Sequence, residues 1–386
     1  MALNTQSPRS ILHIITRLDK GGSADMLLDL ARIQAENGSR VAIALGKTVD
    51  PQCDLEQYAL QTGVIIFHIP SLLRSPSPLN DLRAFVALLR IVRRFSPDIA
   101  HTHTSKAGIV GRGAAYFAGV RKIVHTPHGH IFYGYYSPAV TKLFILLERL
   151  FARISGKITV LTQKGLSDHV AEKIGKAALF SVIPSGVNLE RFIAGNGDAI
   201  RSSLAYGEET IVGWVGRLVA IKNCSSFLKA VTIVHEQKPS IRFLIAGDGD
   251  ERSELEKKAA EYNLKECLVF LGNRSDIPDI MAAMDIFVLS SLNEGFGRVL
   301  VEAMAAGTAI VTTDVGGTSD VIEDTVSGIL VPPSDPEALA SAILSLISDK
   351  KLREKYSREG RKRAVQFDVH HTAQCFEDVY DELFEK

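Results

Sequence analysis

Two carboxylates eight positions apart flank a pair of glycines in the run Glu294-Gly295-Phe296-Gly297-Arg298-Val299-Leu300-Val301-Glu302. The run follows a β-rich stretch, Ile286 to Leu289, and opens a helical pattern that Gly307 ends. Glycines let the backbone approach a ligand closely. The helix start offers unpaired N–H groups and the positive end of a dipole, a natural seat for phosphate. Carboxylates beside that seat would repel phosphate, so they should be aimed at hydroxyl groups such as those of a sugar or ribose. The competing reading is a glycine-rich turn with one Glu at a helix start and another in solvent. A second cluster, His125-Thr126-Pro127-His128-Gly129-His130, places three histidines within six residues. Metal binding is the tempting chemistry, but no Cys or carboxylate cluster accompanies it in sequence. His101 and His103 end the preceding strand and would line the same region, as expected for strand C-termini in open sheets. A purely structural role for each of these histidines stays open.

The elements that would position these groups alternate along the whole chain. In the first half, strands are predicted at 10–16, 41–45, 64–69, 99–102, 122–126 and 157–161. Helices are predicted at 24–37, 81–95, 107–118 and 140–154, with Gly38 and Pro97 as stop signals. Pro184, Ser185 and Gly186 form a turn cluster that reads as a linker. Alternation then restarts, with strands at 210–215, 242–246, 268–271, 286–289 and 309–312 between helices at 224–236, 251–262, 277–283 and 299–306. Two last helices, 336–348 and 368–384, have no strand between them. Such alternation argues for parallel sheets covered by helices. No Gly-x-Gly-x-x-Gly occurs, which counts against a nicotinamide oxidoreductase. No 20–50-residue repeat marks a solenoid.

The totals agree with two domains. The 386 residues are 46% hydrophobic and 23% charged, an ordinary globular balance. No apolar run approaches the ~18–20 residues that span a bilayer, and Ile11 to Ile15 is too short for a signal-peptide core. The chain is therefore expected in the cytoplasm. Cysteines 53, 224, 267 and 375 show no metal or redox spacing and read as reduced thiols. Net charge is zero, yet residues 1–185 hold 22 Lys plus Arg against 12 Asp plus Glu, and the remainder hold 22 against 32. One half should meet something anionic.

The Glu294 to Glu302 run resembles the Glu-x7-Glu element of family 4 glycosyltransferases, retaining enzymes of the GT-B fold. Further resemblances cover almost the whole chain. Val215-Gly216-Arg217, with Lys222 five residues later, is similar to the family's strand-end Gly-Arg and following Lys. Lys20-Gly21-Gly22 looks like its N-terminal glycine loop, and Ile183 to Asn188 like its interdomain stretch. Arg298, Ser185 and Asn188 depart from the usual residues.

The resemblance implies an α/β architecture of two Rossmann-like domains with parallel sheets facing a cleft. The N-terminal, acceptor-binding domain would span 1–183 and the linker 184–192. The nucleotide-sugar domain would span 193–365, and the C-terminal helix 366–386 would pack back on the first domain. The implied catalytic set is His128, Arg217, Lys222 and Glu294. Donor contacts would come from Gly21, Gly22, Gly216, Asn273, Arg274, Gly295, Phe296, Gly297 and Glu302, and acceptor contacts from His103, Lys106 and His130. Glu294 would contact donor-sugar hydroxyls and Glu302 the ribose. Arg217 and Lys222 would hold a departing diphosphate. No cofactor or metal is expected, because these two cations replace one. Asp248-Gly249-Asp250 is accordingly a strand-end loop rather than the metal motif of another glycosyltransferase class.

The expected donor is a nucleotide sugar, UDP-linked and carrying an N-acetylhexosamine or hexose. The expected acceptor is a glycan or an undecaprenyl-diphosphate-linked sugar in surface-polysaccharide assembly. No nucleic-acid partner is expected. A sugar-nucleotide epimerase and a non-catalytic sugar-nucleotide binder are the rivals. Two basic amphipathic helices suggest peripheral contact with an anionic membrane surface. One carries Arg83, Arg90, Arg93 and Arg94 beside Leu82, Phe85, Leu88 and Leu89. The other carries Lys142, Arg149 and Arg153 beside Leu143, Phe144, Leu147 and Phe151. The alternative is that both apolar stripes pack on the sheet and the cations are merely solvated.

Overall fold

The structure, a computed structural model, describes residues 8–129 and 138–385. They form two compact units: residues 8–129 and 138–186 with 369–385, and residues 187–368. The sequence reading of His130 lies outside the described residues.

The first unit is built on seven parallel strands: β1 (Ser10–Ile15), β2 (Arg40–Leu45), β3 (Ile65–His68), β4 (Ile99–His103), β5 (Ile123–Thr126), β6 (Lys157–Val160) and β7 (Phe180–Val182). Their order is β3-β2-β1-β4-β5-β6-β7. Every connection is a crossover, which explains the helices on both faces and the nearly unbroken apolar run in β1 and β2. The order reverses between β1 and β4, whose register pairs His13 with His101. Helix Gly22–Glu36 packs its buried face against helix Val369–Glu382, so the chain's last helix completes this unit.

The second unit has six parallel strands: β8 (Ile211–Val215), β9 (Arg242–Ala246), β10 (Leu268–Gly272), β11 (Ile286–Leu289), β12 (Ala309–Thr313) and β13 (Ile329–Val331). Their order is β10-β9-β8-β11-β12-β13, reversing between β8 and β11. The sole tryptophan, Trp214, is fully buried in this unit's core with Phe227 and Phe243.

The structure adds elements to the sequence reading. Strands β7 and β13 have three residues each, too few to display a periodicity. Helix Lys350–Ala364, mostly charged, lies between the two predicted C-terminal helices. The first basic helix starts earlier than predicted, at Pro78, because proline suits a first helical turn. Its Leu88 is fully buried with Ala84, Val92 and Phe95, so that residue belongs to the core. Leu79 and Leu82 are its exposed apolar residues. On helix Pro138–Ala152 the residues more than half exposed are Leu143, Leu146 and Leu150, at helical spacing. Phe144, Leu147 and Phe151 are only partly exposed. Among the described residues no helix is long and apolar enough to cross a membrane.

Candidate active site

In open α/β sheets, ligands bind beyond the strand C-termini where strand order reverses. In the second unit that point lies beyond β8 and β11, and both strands deliver expected residues there. After β8 come Gly216 and exposed Arg217, then a short 3-10 turn, Ala220–Lys222. After β11 comes the loop leading to Glu294. The two loops are stitched together: Leu292 N–H donates to the Ile221 carbonyl at 2.8 Å, and Ser290 Oγ to the Asn223 carbonyl at 2.9 Å. Trp214 Nε1 donates to Ser290 Oγ at 3.2 Å, anchoring the arrangement in the core.

This stitching brings Lys222 and Glu294 together. Lys222 Nζ lies 2.5 Å from Glu294 Oε1, and Ser291 Oγ donates to the same oxygen at 2.6 Å. Glu294 is only 8% exposed. Its carbonyl accepts from Gly317 N–H at 3.0 Å, and a Cβ at Gly316 would collide with that oxygen at 1.8 Å. Gly316 also has a φ of 56°, so the turn after β12 demands glycine twice over. Helix Arg298–Ala306 begins at Gly297, whose φ of 85° suits glycine and which has no side chain to cap the first N–H groups. The Arg298 guanidinium lies 3.7 Å from Glu302 one turn along.

Three expected residues take plainer places. The Phe296 ring is buried edge-on to Phe367, at 5.5 Å between centroids, and acts as packing. Arg274 forms an exposed pair with Asp276, beside exposed Asn273. The Asp248 carboxylate accepts from Gly249 N–H at 2.8 Å and from Arg252 at 3.0 Å, which holds it below its usual pKa range. The loops after β8 and β9 interlock through Leu218 N–H to the Asp248 carbonyl and Glu251 N–H to the Leu218 carbonyl. A Cβ at Gly247 would strike the Gly216 carbonyl at 1.8 Å, so this crossing too requires glycine.

In the first unit the reversal point lies beyond β1 and β4. Thr16 and Thr104 hydroxyls meet across it at 3.1 Å. Gly21, at φ 148°, precedes helix Gly22–Glu36 with open space around its would-be Cβ. Lys106 is committed to Asp81 at 2.6 Å and also donates to the Ser75 carbonyl. Two non-glycine residues adopt left-handed backbone here, Thr104 (φ 63°) after β4 and His128 (φ 57°) after β5. For a β-branched threonine this is a genuine outlier, and such strain concentrates at functional sites.

The histidines form a network the sequence reading did not anticipate. His128 Nε2 meets His103 Nδ1 at 2.9 Å, His103 Nε2 meets His13 Nδ1 at 3.0 Å, and His13 Nε2 meets Gln34 Oε1 at 2.8 Å. Gln34 Nε2 then donates to Glu377 Oε1 at 3.0 Å, and Arg9 lies 3.4 Å from Glu377 and pairs with Asp381 as well. His101 is held separately, by Tyr380 and Thr126, each at 2.7 Å. Burial pushes His13 down to about 4, with the Gln34 bond opposing, and pushes His101, His103 and His125 well below the ordinary range. Burial raises the Glu377 carboxyl, while Gln34 and Arg9 pull it back. The missed signal was alternation: His101 and His103, two apart on β4, share the face on which His13 of β1 lies.

Among the described residues, one group could hold a metal ion: His13, His101 and His103, all buried. Their six ring nitrogens all stand in the hydrogen bonds given above, so an ion would have to break several of them. Asp248 and Asp250 join no such group.

Comparison with known proteins fits this placement. The family described as "Glycosyltransferase Family 4" matches residues 20–191, and "Glycosyl transferases group 1" matches residues 197–363. The UDP-Gal:alpha-D-GlcNAc-diphosphoundecaprenol alpha-1,3-galactosyltransferase of Escherichia coli is 31% identical over 84% of this chain and 85% of its own length. The capsular polysaccharide biosynthesis glycosyltransferase CapM of Staphylococcus aureus is 23% identical over 80% and 82%. Anabaena HepE, solved in complex with UDP, superposes with a TM-score of 0.80 over 97% of this chain and all of its own, at 24% identity.

Two Rossmann-like parallel sheets, each with polar groups at its reversal point, give the chain the GT-B architecture, and the family matches make it a glycosyltransferase. The chain belongs to the family 4 glycosyltransferases, with a group 1 glycosyltransferase second half. That membership favours a transferase over the epimerase and over the non-catalytic binder.

Proposed function

We propose that this enzyme transfers a hexose or N-acetylhexosamine from a UDP-sugar to a glycan or undecaprenyl-diphosphate-linked acceptor, with retention at the anomeric carbon and without a metal. The observation that carries the donor reading is the Lys222–Glu294 pair beside the glycine-started helix Arg298–Ala306. A diphosphate seated at that helix start would draw Lys222 towards it and free Glu294 for sugar hydroxyls. Arg217 would share the leaving-group charge, Glu302 would take the ribose, and Asn273 and Arg274 would border the base. Attack would proceed from the face the leaving phosphate vacates, with that phosphate taking the acceptor proton. Support for the acceptor comes from the E. coli relative, whose name specifies a diphosphoundecaprenol-linked substrate.

We place acceptor binding on the first unit, using His103, Lys106 and His128, with the glycine loop at Gly21 and Gly22 approaching both substrates. His130 belongs to the same expected set. The enzyme would work at the inner face of the cell membrane. The exposed row Leu143, Leu146 and Leu150 with Lys142 and Arg153 supports a peripheral lipid contact, as does Leu79 and Leu82 with Arg83. The decisive experiment incubates the enzyme with a panel of nucleotide sugars, with and without a diphosphate-lipid acceptor. Acceptor-dependent release of UDP with an α-linked product from an α-linked donor supports the reading. Interconversion of donors without release would overturn it.

A further inference from the structure

The hydrogen-bonded chain from the last helix to His128 has a direction, and that direction can be read from its far end. Glu377 presents a carboxylate oxygen to Gln34, and only the NH₂ end of an amide can donate to it. Gln34 therefore turns its Oε1 to His13, whose Nε2 must carry the hydrogen. Buried His13 and His103 are neutral, so each has one bare nitrogen. His13 Nδ1 is bare and accepts from His103 Nε2–H; His103 Nδ1 is then bare and accepts from His128 Nε2–H.

We propose that Glu377, acting through Gln34, His13 and His103, sets which ring nitrogen of His128 carries the proton: Nε2–H faces His103 and Nδ1 is the hydrogen-bond acceptor. The opposite tautomer of His128 would set two lone pairs against each other at 2.9 Å unless His103 and His13 turned over as well. Turning all three only moves the conflict to His13 Nε2 and Gln34 Oε1, 2.8 Å apart and fully buried. A buried acceptor facing another acceptor is the arrangement proteins avoid most consistently. His128 Nδ1 thus keeps the ring's lone pair. Glu377, Gln34, His13 and His103 are positioning residues. Their relevance to catalysis rests on the proposed role of His128, but the tautomer does not.

The test reads tautomers directly, by two-bond ¹H–¹⁵N correlation of histidine rings in the full chain. In the wild type, His13, His103 and His128 should each show Nε2–H over Nδ1–H by about 10:1 or more, as one misdirected buried hydrogen bond dictates. Glu377→Gln keeps the shape but lets residue 377 offer either end of an amide, which frees Gln34 to turn over. The ratio at His128 should then fall by about fivefold or more. His13→Phe, which cuts the chain nearer the ring, should relax His103 and His128 in the same way. A wild-type His128 protonated on Nδ1 overturns the proposal, as does an unchanged ratio in a folded Glu377→Gln or His13→Phe protein. The wild-type spectrum decides even if both variants fail to fold. Assaying His128→Ala separates the two readings. Wild-type turnover there removes His128 from the chemistry, while a tautomer shift in Glu377→Gln still upholds the relay.

Discussion

Acid should open the first unit well before the second. Four histidines, His13, His101, His103 and His125, are buried there and held neutral, with pKa values depressed below the 6.5 of an unfolded chain. Because the unfolded state takes up protons that the folded state refuses, stability falls as pH drops below 6.5, and for His13 the loss ends near 4. His13 alone forfeits about 1–2 kcal/mol between pH 6.5 and 5.0, and His101, His103 and His125 add losses of the same sign. Glu377 offsets part of this, since its raised carboxyl is relieved of its penalty as pH falls. The second unit contains one histidine, His235. Its depressed carboxyls, such as Asp248 and Asp276, are lost only at lower pH, as acid reaches the carboxylate range. Hydrogen exchange, corrected for the intrinsic effect of pH, can follow peptides from β1, β4 and β5 beside peptides from β8, β11 and β12. Trp214 fluorescence reports the second unit independently. Protection in the first unit should fall between pH 6.5 and 5.0 while Trp214 remains buried. Loss of less than about 1.4 kcal/mol across that interval, the worth of one pKa unit at one group, would refute the reasoning.

Other outcomes follow from the proposed roles. Lys222→Ala should lower kcat/KM by roughly 10²-fold or more, measured by UDP release; a change within about threefold would remove Lys222 from leaving-group stabilisation. Glu302→Ala should weaken UDP binding by about 1–3 kcal/mol in calorimetry, whereas Glu294→Ala should lower turnover and blur donor preference; wild-type UDP binding and donor preference in both would reverse the assignment. Activity should survive EDTA, and a large loss restored by manganese or magnesium would bring Asp248 and Asp250 back as ligands. Sedimentation with anionic vesicles should show binding at low salt that fades as the screening length shrinks from roughly 30 Å at 0.01 M to about 8 Å at 0.15 M. Replacing Leu143, Leu146 and Leu150 by Ser should abolish that binding, and binding unaffected by salt and by these changes would exclude the lipid contact.

The elements that carry the expected donor residues were legible because their signals are local. Glu294, Glu302 and Lys222 each sit a few residues beyond a strand with strong apolar character, and helix geometry carries the spacing from there. The Lys222–Glu294 contact spans 72 positions and depends on β8 lying next to β11, which no local pattern encodes. The histidine chain was less legible still. Its links join residues 21, 90 and 343 positions apart, and parallel strands have no tight turn to reveal their register. Three adjacent histidines, 125, 128 and 130, attracted attention, yet the first faces the core beside Gly108, where an added Cβ would meet its ring at 2.3 Å. The partners that matter to His128 came from β1, β4 and the last helix. The packing of the Phe296 ring on Phe367 was not legible either, because an aromatic ring inside a glycine-rich motif says nothing about which side of the loop it occupies.

The route of the chain has a consequence for how the molecule is made. Residues 187–368 form a unit of their own, inserted between the body of the first unit and its closing helix, and Val187 N–H is tied to the Phe367 carbonyl at 2.9 Å where the insertion begins and ends. In chain order the inserted unit precedes the helix that carries Phe376, Glu377 and Tyr380, which lie against His101 and Gln34. Until that helix docks, His101 and Gln34 lack the partners that close them off on that side. A chain cut before Val369 would thus keep residues 187–368 whole while leaving the first unit without its cover.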